Sequence, residues 1–325
     1  MKFSFIIPAY NALSTIEKCL KSVISQTYQN WEAIVVDDGS KDDTYSRAFE
    51  FSKMDKRIRV YKKENEGPGL TRNFAIKQVV GDYIVFLDSD DYIDNDYLQS
   101  VSDCIEEKNA DVVILDNYYE TAAGKLIRIE KLSQFSSLSQ RQLIGVQMTG
   151  KMPWGGCRKV IKHTIIKDNM IEYTEDKVGE EALFSFKVFL FASNIVFLGK
   201  PVYHYVDYPQ SQSKKGADDP WGGVVDKISN YIRLNLDGET FEKEVNSFAY
   251  TALVVSLYRI SSNYSLGEAI KLCKLRIRET KEKYPMNVDS SCLEKRVRIM
   301  LWFARLGWVL PIVLASKLKN LIKGK

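Results

Sequence analysis

The chain has 325 residues, with 45% hydrophobic and 27% charged content, ordinary values for a folded, soluble or surface-associated protein and too much chain for one small domain. A formal net charge of +4 does not announce a nucleic-acid binder, and no nucleic-acid partner is expected. Five scattered cysteines without a CxxC pair, and only two histidines, exclude a zinc-type ligand set and argue for a reducing, cytosolic compartment.

The apolar run over 3–7 is too short for a signal-peptide core and stops at Pro8, where a strand over 2–8 would end. Ile16, Leu20, Val23 and Ile24 share one face of a helix predicted over 14–26, with Ser14 as N-cap and Glu17 completing a capping box. A strand over 31–36 runs into Asp37-Asp38-Gly39-Ser40, and a helix over 43–54 and a short strand over 58–62 follow. A Gly-Pro-Gly turn then leads into a helix over 70–80. The run from Tyr83 to Leu87 is continuously apolar and rich in β-branched and aromatic residues, so it reads as a strand buried on both faces. It ends abruptly in Asp88, Ser89, Asp90 and Asp91. Beyond it come a helix over 97–108, with Asp94 and Asp96 as capping residues, and a strand over 111–116 with Tyr118 and Tyr119 just past its end. Residues 121–150 read as irregular or mixed, 180–191 as a helix, 195–198 and 202–205 as two short strands, and 209–219 as a polar, mobile loop. Past about residue 220 the pattern is helical throughout, without repeats. Strands alternating with helices imply βαβ units, hence the α/β class with a mostly parallel sheet.

Three carboxylates within four residues repel one another and suit an oxygen-loving cation, Mg²⁺ or Mn²⁺, of the kind often shared with a substrate's phosphates. The plainer reading is a loop with a helix N-cap, where Asp is common. Ligands of open α/β sheets bind beyond the carboxyl ends of the strands. Four strand ends should therefore open on one edge: Pro8-Ala9-Tyr10-Asn11, Asp37 to Ser40, Asn65 to Gly69 with Arg72 and Asn73, and Asp88 to Asp91. Together they make a nucleoside-diphosphate site, with Tyr10 packing on a base, Asp38 accepting from a pyrimidine N–H, Arg72 approaching phosphate oxygens and the acidic cluster holding the metal.

The segments FSFIIPAYN, QTYQNWEAIVVDDGSKDDT, ENEGPGLTRN and GDYIVFLDSDD, in this order and spacing, resemble the family 2 glycosyltransferases of the GT-A fold. The resemblance implies a Rossmann-like, mostly parallel sheet flanked by helices, over roughly residues 2–210, followed by a helical C-terminal region. It implies that Asp90 binds the divalent metal with Asp88 beside it, nearer the ribose, and that Asp38 reads a uracil ring. Pro8, Ala9, Tyr10 and Asn11 would line the nucleoside, with Asn65, Arg72 and Ser89 also on the donor side. Thr71 stands where the family usually has Ala.

The run Gly179-Glu180-Glu181-Ala182-Leu183-Phe184 resembles the family's Glu-Asp segment at a helix start, which implies Glu181 as catalytic base, with Glu180 as the alternative. A Glu in place of Asp moves the carboxylate by about 1.5 Å, one C–C bond, enough to matter for attack geometry. Acidic residues also favour any first helical turn. Trp154, ahead of Arg158 and Lys159, falls where the family carries an acceptor-side Trp, and either stacks on a sugar or fills the core. His204, between Tyr203 and Tyr205, falls where relatives close over the diphosphate, a surface or packing role being the other reading. Asp91 either shapes its turn or faces the acceptor.

From Lys271 onward 14 Lys or Arg stand against 4 Asp or Glu, a local balance of +10, which suits an anionic partner. Residues 299–315 (IMLWFARLGWVLPIVLA) are the most apolar stretch; they contain Arg305 and Pro311 and are flanked by Lys295, Arg296, Arg298, Lys317, Lys319, Lys323 and Lys325. With Trp302 and Trp308, they read as a helix lying on the inner membrane surface through 296–325. The alternatives are packing on its own domain or on a second copy in a homodimer, and a true span.

The expectation is a metal-dependent, inverting glycosyltransferase that moves a sugar from a UDP-sugar to a saccharide acceptor, lipid-linked, in cell-surface polysaccharide synthesis. It would work in the cytoplasm, peripherally attached to the cytoplasmic membrane. Residues 1–220 would form the catalytic domain, with a donor half over 1–117 and an acceptor half over 118–220, and 221–325 the helical region. The alternative is a catalytically silent relative that binds nucleotide-sugar or scaffolds a synthase complex. A nucleotidyltransferase would want a Gly-rich, basic loop after the first strand, which Pro8-Ala9-Tyr10-Asn11 is not.

Overall fold

The computed structural model describes residues 1–176, 179–208, 218, 221–236, 241–288 and 293–323, with side chains to 318. Successive βαβ units open the chain: β1 (Phe3–Ala9), α1 (Ile16–Ile24), β2 (Trp31–Asp38), α2 (Thr44–Met54), β3 (Ile58–Lys63), α3 (Pro68–Ile76) and β4 (Tyr83–Phe86). Every residue of β2 and of β4 is buried, as an apolar run demands when both faces of its sheet are covered. The chain continues through β5 (Tyr92–Ile93), α4 (Tyr97–Lys108), β6 (Val112–Thr121), β7 (Leu126–Glu130), α5 (Gln140–Met148), β8 (Lys159–Lys162), α6 (His163–Asp168), α7 (Glu180–Phe191) and β9 (Ile195–Asp207). The remainder described is helical: α8 (Gly222–Asn235), α9 (Glu242–Asn263), α10 (Leu266–Lys283), α11 (Lys295–Arg305) and α12 (Val309–Lys323).

The sheet runs β3-β2-β1-β4-β8-β6-β9-β5, with β7 hydrogen-bonded to β6. Strands β3, β2, β1 and β4 are mutually parallel, so their carboxyl ends open on one edge. Strand β8 runs antiparallel to both β4 and β6, and β6 is again parallel to β9. The sheet is therefore mixed, parallel where the sequence motifs lie.

The chain divides into two compact units, Met1–Gln140 with Trp154–Ser211, and Arg141–Pro153 with Gln212–Lys325. The first is built on the core of the sheet, including Phe5, Ile7, Val35, Val85, Leu98 and Val113. The core of the second includes Leu253, Leu257, Cys273, Val297, Leu301 and Ile312.

Local expectations shift in instructive ways. The N-cap of α1 is Thr15, not Ser14, and no side chain caps it. Glu17 instead pairs with Lys21 at 2.7 Å and Arg47 at 2.5 Å, so no capping box forms. Helix α3 begins at Pro68, not Leu70, since proline is suited to a first helical position. The segments over 195–198 and 202–205 are one strand, because β6 and β9 stay paired across a register shift from Leu115 to Asn117. That pairing also carries β6 on through Tyr118 and Tyr119. The loop expected over 209–219 lies outside the described residues except for Asp218, as do the side chains of Lys319, Lys323 and Lys325.

Candidate active site

The first two strand ends are tied together by polar side chains. Ala9 pairs with Asp37 at the end of β1, and Tyr10 just beyond is 38% exposed. Pro8 is half-buried and Ala9 buried in the strand behind it. Asn11 takes φ +48°, which its short polar side chain tolerates. Its N–H donates to Ser40 Oγ at 2.9 Å and its Oδ1 accepts from the Lys41 N–H at 2.9 Å.

Asp38 is buried, and its carboxylate organises the chain after β3. Oδ1 accepts from Lys63 Nζ at 2.8 Å and from the Glu66 N–H at 3.0 Å, while Oδ2 accepts from the Gly67 N–H at 2.9 Å. A carboxylate offers about four acceptor sites, so one on Oδ2 is left for a ligand N–H. Asn65 Nδ2 donates to the Asp38 carbonyl at 2.9 Å. A Cβ on Gly39, at φ +71°, would fall 2.9 Å from the Asn65 nitrogen, so glycine is needed here. A groove of about 570 Å³ lies against Gly39, Ser40, Lys62, Lys63, Glu64 and Asn65. A second groove, of about 590 Å³, is lined by Lys18, Lys21, Tyr92 and Asp94 among others and touches none of the carboxylates from Asp88 to Asp91.

Beyond β4, three carboxylates meet three fates. Asp88 Oδ1 pairs with Arg72 Nη2 at 2.8 Å. Asp91 is buried; its Oδ2 accepts from Tyr203 O–H at 2.7 Å and its Oδ1 from the Val206 N–H at 2.8 Å. Burial and the charges of Asp88 and Asp90 push its proton affinity well up. Asp91 thus pins the turn to β9, the turn-shaping role. Asp90 has no basic partner within ion-pair distance among the described residues, and burial, then Asp88, pushes its pKa up to about 6. Ser89 is buried between them.

Cys157 Sγ comes within 4.8 Å of donor atoms of Asp88 and Asp91. Burial raises its pKa and keeps it a thiol, and soft sulfur is a poor ligand for Mg²⁺ or Mn²⁺. Asp88 and Asp90 do fit a hard divalent cation, because the repulsion that raises Asp90 is what such an ion relieves.

Arg72 joins this corner to a second pair of carboxylates. It is buried, and its Nη1 lies 3.2 Å from Glu180 Oε1 and 3.9 Å from Glu181 Oε1. The Tyr173 ring lies 5.4 Å from its Cζ. Burial opposes its charge, but Asp88, Glu181, Tyr173 and Glu180 outweigh burial and hold the proton more tightly than on a free arginine. The guanidinium faces carboxylates here, whereas the sequence suggested phosphate oxygens.

Gly179, at φ +80°, starts α7, whose first turn presents both glutamates. The Glu180 side chain is 12% exposed, and burial together with the Glu181 charge pushes its pKa up to about 7. The Glu181 side chain is 24% exposed, and its Oε1 accepts from the Gly156 N–H at 3.0 Å. Glu181 is therefore both the more open carboxylate and one with a fixed seat.

Two expected residues take packing roles. Trp154 is buried, and its carbonyl accepts from Lys159 Nζ at 2.6 Å. His204 is sandwiched between the rings of Tyr92 and Tyr118, at 4.1 and 4.6 Å. Its Nδ1 lies 3.0 Å from Glu120 Oε1 and its Nε2 3.0 Å from Asp94 Oδ1, so both faces and both nitrogens are occupied. Sequence reasoning missed Lys63, Tyr203, Gly156 and Lys159. Of these only Lys63 carried a local signal, as the cation in register with Asp38 at the end of the neighbouring strand.

Residues 4–169, just over half of the chain, match the profile of glycosyl transferase family 2. Glycosyltransferase GlyA of Streptococcus pneumoniae serotype 4 is 30% identical over 251 residues, 72% of this chain and 34% of that protein. The putative glycosyltransferase EpsH of Bacillus subtilis is 28% identical, over 75% of this chain and 73% of its own. The poly(ribitol-phosphate) beta-N-acetylglucosaminyltransferase TarS of Staphylococcus aureus is 30% identical, over 67% of this chain and 37% of its own. The chain thus spans about a third of GlyA and TarS. The crystal structure of S. aureus TarS 1–349 in complex with UDP-GlcNAc superposes with a TM-score of 0.75 at 24% identity, covering 100% of this chain and 93% of that one. The mannosyltransferase PcManGT from Pyrobaculum calidifontis, in complex with GDP-Man and Mn²⁺, gives 0.52 at 16% identity, covering 98% and 87%. These two likenesses speak for the fold, the expected GT-A architecture with a helical C-terminal region. With the profile match and the GlyA identity beside it, the chain belongs to glycosyl transferase family 2.

Proposed function

We propose that the chain is a metal-dependent, inverting glycosyltransferase that moves a sugar from a UDP-sugar to an acceptor hydroxyl. The observation that carries this reading is the Arg72 bridge, 2.8 Å from Asp88 on one side and, on the other, 3.2 Å from Glu180 and 3.9 Å from Glu181. It sets a cation-binding carboxylate pair against a candidate base, in the same unit as the Asp38 turn. Asp38 would use its remaining acceptor site on a uracil N–H, with Tyr10 stacking on the ring. Asp90 and Asp88 would hold Mn²⁺ or Mg²⁺, which when bound neutralises charge on the departing diphosphate. Glu181 takes the proton of the acceptor hydroxyl as that oxygen forms its bond to the anomeric carbon. The bond from this carbon to the diphosphate oxygen breaks, and its electron pair leaves with UDP. One displacement with one base inverts the anomeric centre.

The complexes of TarS with UDP-GlcNAc and of PcManGT with GDP-Man and Mn²⁺ support a nucleotide-sugar donor. The polyol-phosphate acceptor in the name of TarS supports a role in cell-surface polymer synthesis. A thermal-shift panel of UDP-, GDP- and dTDP-sugars, each with and without Mn²⁺, tests the donor. A ligand at a hundred times its Kd adds about 2.7 kcal/mol of stability, so UDP-sugars with Mn²⁺ should raise Tm and the others should not. A chain whose Tm does not respond to UDP and Mn²⁺ sinks the reading. Binding without any release of UDP would instead favour the silent relative.

A membrane partner is part of the same reading. Among the described residues no helix is long and apolar enough to cross a membrane. Helices α11 and α12 and the turn between them expose Trp302 (54%) and Trp308 (56%) together with Leu306, Leu310 and Leu314. No acidic residue occurs from Lys295 to Lys325, a combination suited to an anionic bilayer face. The full chain should float with phosphatidylglycerol-containing vesicles at low salt and not with neutral ones. A variant lacking 296–325 that floats equally well removes this partner.

A further inference from the structure

We propose that Lys159 is a positioning residue for Glu181, holding from behind the turn and the helix between which that carboxylate is seated; this rests on the reading of Glu181 as the base. Lys159 is buried at the start of β8. Its ammonium donates to the Trp154 carbonyl at 2.6 Å, the Gly155 carbonyl at 3.0 Å and Ser185 Oγ at 2.7 Å. A lysine has three donors and no acceptor, so its capacity is filled, and filled by neutral partners. Two of them belong to the turn that ends in Gly156, the residue whose N–H holds Glu181 Oε1 at 3.0 Å. The third stands one turn after Glu181 on α7, on the same helix face. The turn itself has little room to move. A Cβ on Gly156 would fall 2.8 Å from Tyr173 Oη and 3.2 Å from the Phe86 ring.

A buried ammonium is costly unless paired, and Lys159 has no carboxylate within ion-pair distance among the described residues. Burial lowers its pKa to about 8, and the charge that most favours its protonated form is Glu181. The clamp thus puts a positive charge behind the base as well as fixing its hydrogen-bond donor. Misplacing a reacting group by about 1 Å can cost roughly 100-fold in rate, and the clamp guards against that displacement.

The test compares wild type, Lys159→Met and Ser185→Ala as full chains, following UDP release from UDP-GlcNAc with Mn²⁺ for kcat and KM, alongside Tm and UDP binding. For Lys159→Met, kcat should fall about 10- to 100-fold with KM for UDP-GlcNAc changed less than about twofold. Ser185→Ala, which removes one of the three acceptors, should lower kcat about threefold with the same split. A loss of kcat matched by lost UDP binding makes Lys159 merely structural and overturns the inference. If Lys159→Met does not fold, Ser185→Ala decides, and an unchanged kcat overturns it. A wild-type chain that binds UDP but releases none overturns the enzyme reading itself and this inference with it, an outcome read from wild type alone.

Discussion

Glu181→Gln should abolish nearly all sugar transfer, by about three orders of magnitude, while UDP and Mn²⁺ still bind. Positioned general bases contribute roughly 10²- to 10⁴-fold, and the amide keeps shape and hydrogen-bonding oxygen while losing the ability to take a proton. The amide oxygen could still accept from the Gly156 N–H that now holds the carboxylate at 3.0 Å, so the fold should stand. Single-turnover UDP release, with UDP binding followed by thermal shift, separates the two effects. Glu180→Gln should spare most of the activity, because Glu180 is the deeper carboxylate bound to Arg72. Transfer that survives Glu181→Gln and fails in Glu180→Gln would move the base by one residue.

The second large effect is on stability. Arg72→Met leaves the partly buried Asp88, Glu180 and Glu181 without the buried cation they share, and removing one partner of a buried pair costs up to about 3–5 kcal/mol. The cost should depend on pH, with a definite sign. Glu180 has its pKa raised from 4.5 to about 7, so between those values the folded state binds more protons than the unfolded one. Its contribution is therefore present at low pH and is lost as pH rises through about 7. Arg72 lowers that pKa, so without it the native state resists ionisation further up the scale. The Tm gap between wild type and Arg72→Met should be wider at pH 8.5 than at pH 5.5. Equal gaps would mean that packing, not charge, sets the role of Arg72. Arg72→Lys should restore only part of the gap, because one ammonium cannot reach both sides as a planar guanidinium does.

The edge that gathers the expected donor residues was legible because each of its motifs is local. Tyr10, Asp38 and Asp90 all follow an apolar run directly, and parallel pairing carries such ends to one edge. What joins them was not legible. Arg72 meets Glu180 across 108 positions and Glu181 meets Gly156 across 25, and no periodicity reports such pairings. The long strand β9 was split because Gly199-Lys200-Pro201 has the composition of a break, whereas the ladder accommodates it as a register shift opposite Asp116. Strand β7 escaped notice although Ile127 and Ile129 alternate with Arg128 and Glu130, because five residues are too few for periodicity to decide. Asp91 and His204 looked like site residues because acids and histidines near a motif invite that reading, and only long-range partners, Tyr203 and Glu120, show them fastening the sheet.

Strand β8 has a consequence that reaches beyond pairing. In a purely parallel sheet the working edge receives only segments that leave a strand. Reversing β8 beside β4, with Val160 opposite Val85, brings to that edge a segment that is about to enter one. The turn from Trp154 to Gly156 therefore arrives beside the acidic corner after β4, already anchored by the strand it precedes. The two halves of the proposed site thus lie on separate stretches of chain that approach from opposite directions. The direction of a single strand makes neighbours of the seat for the proposed base and the carboxylates proposed to hold the metal.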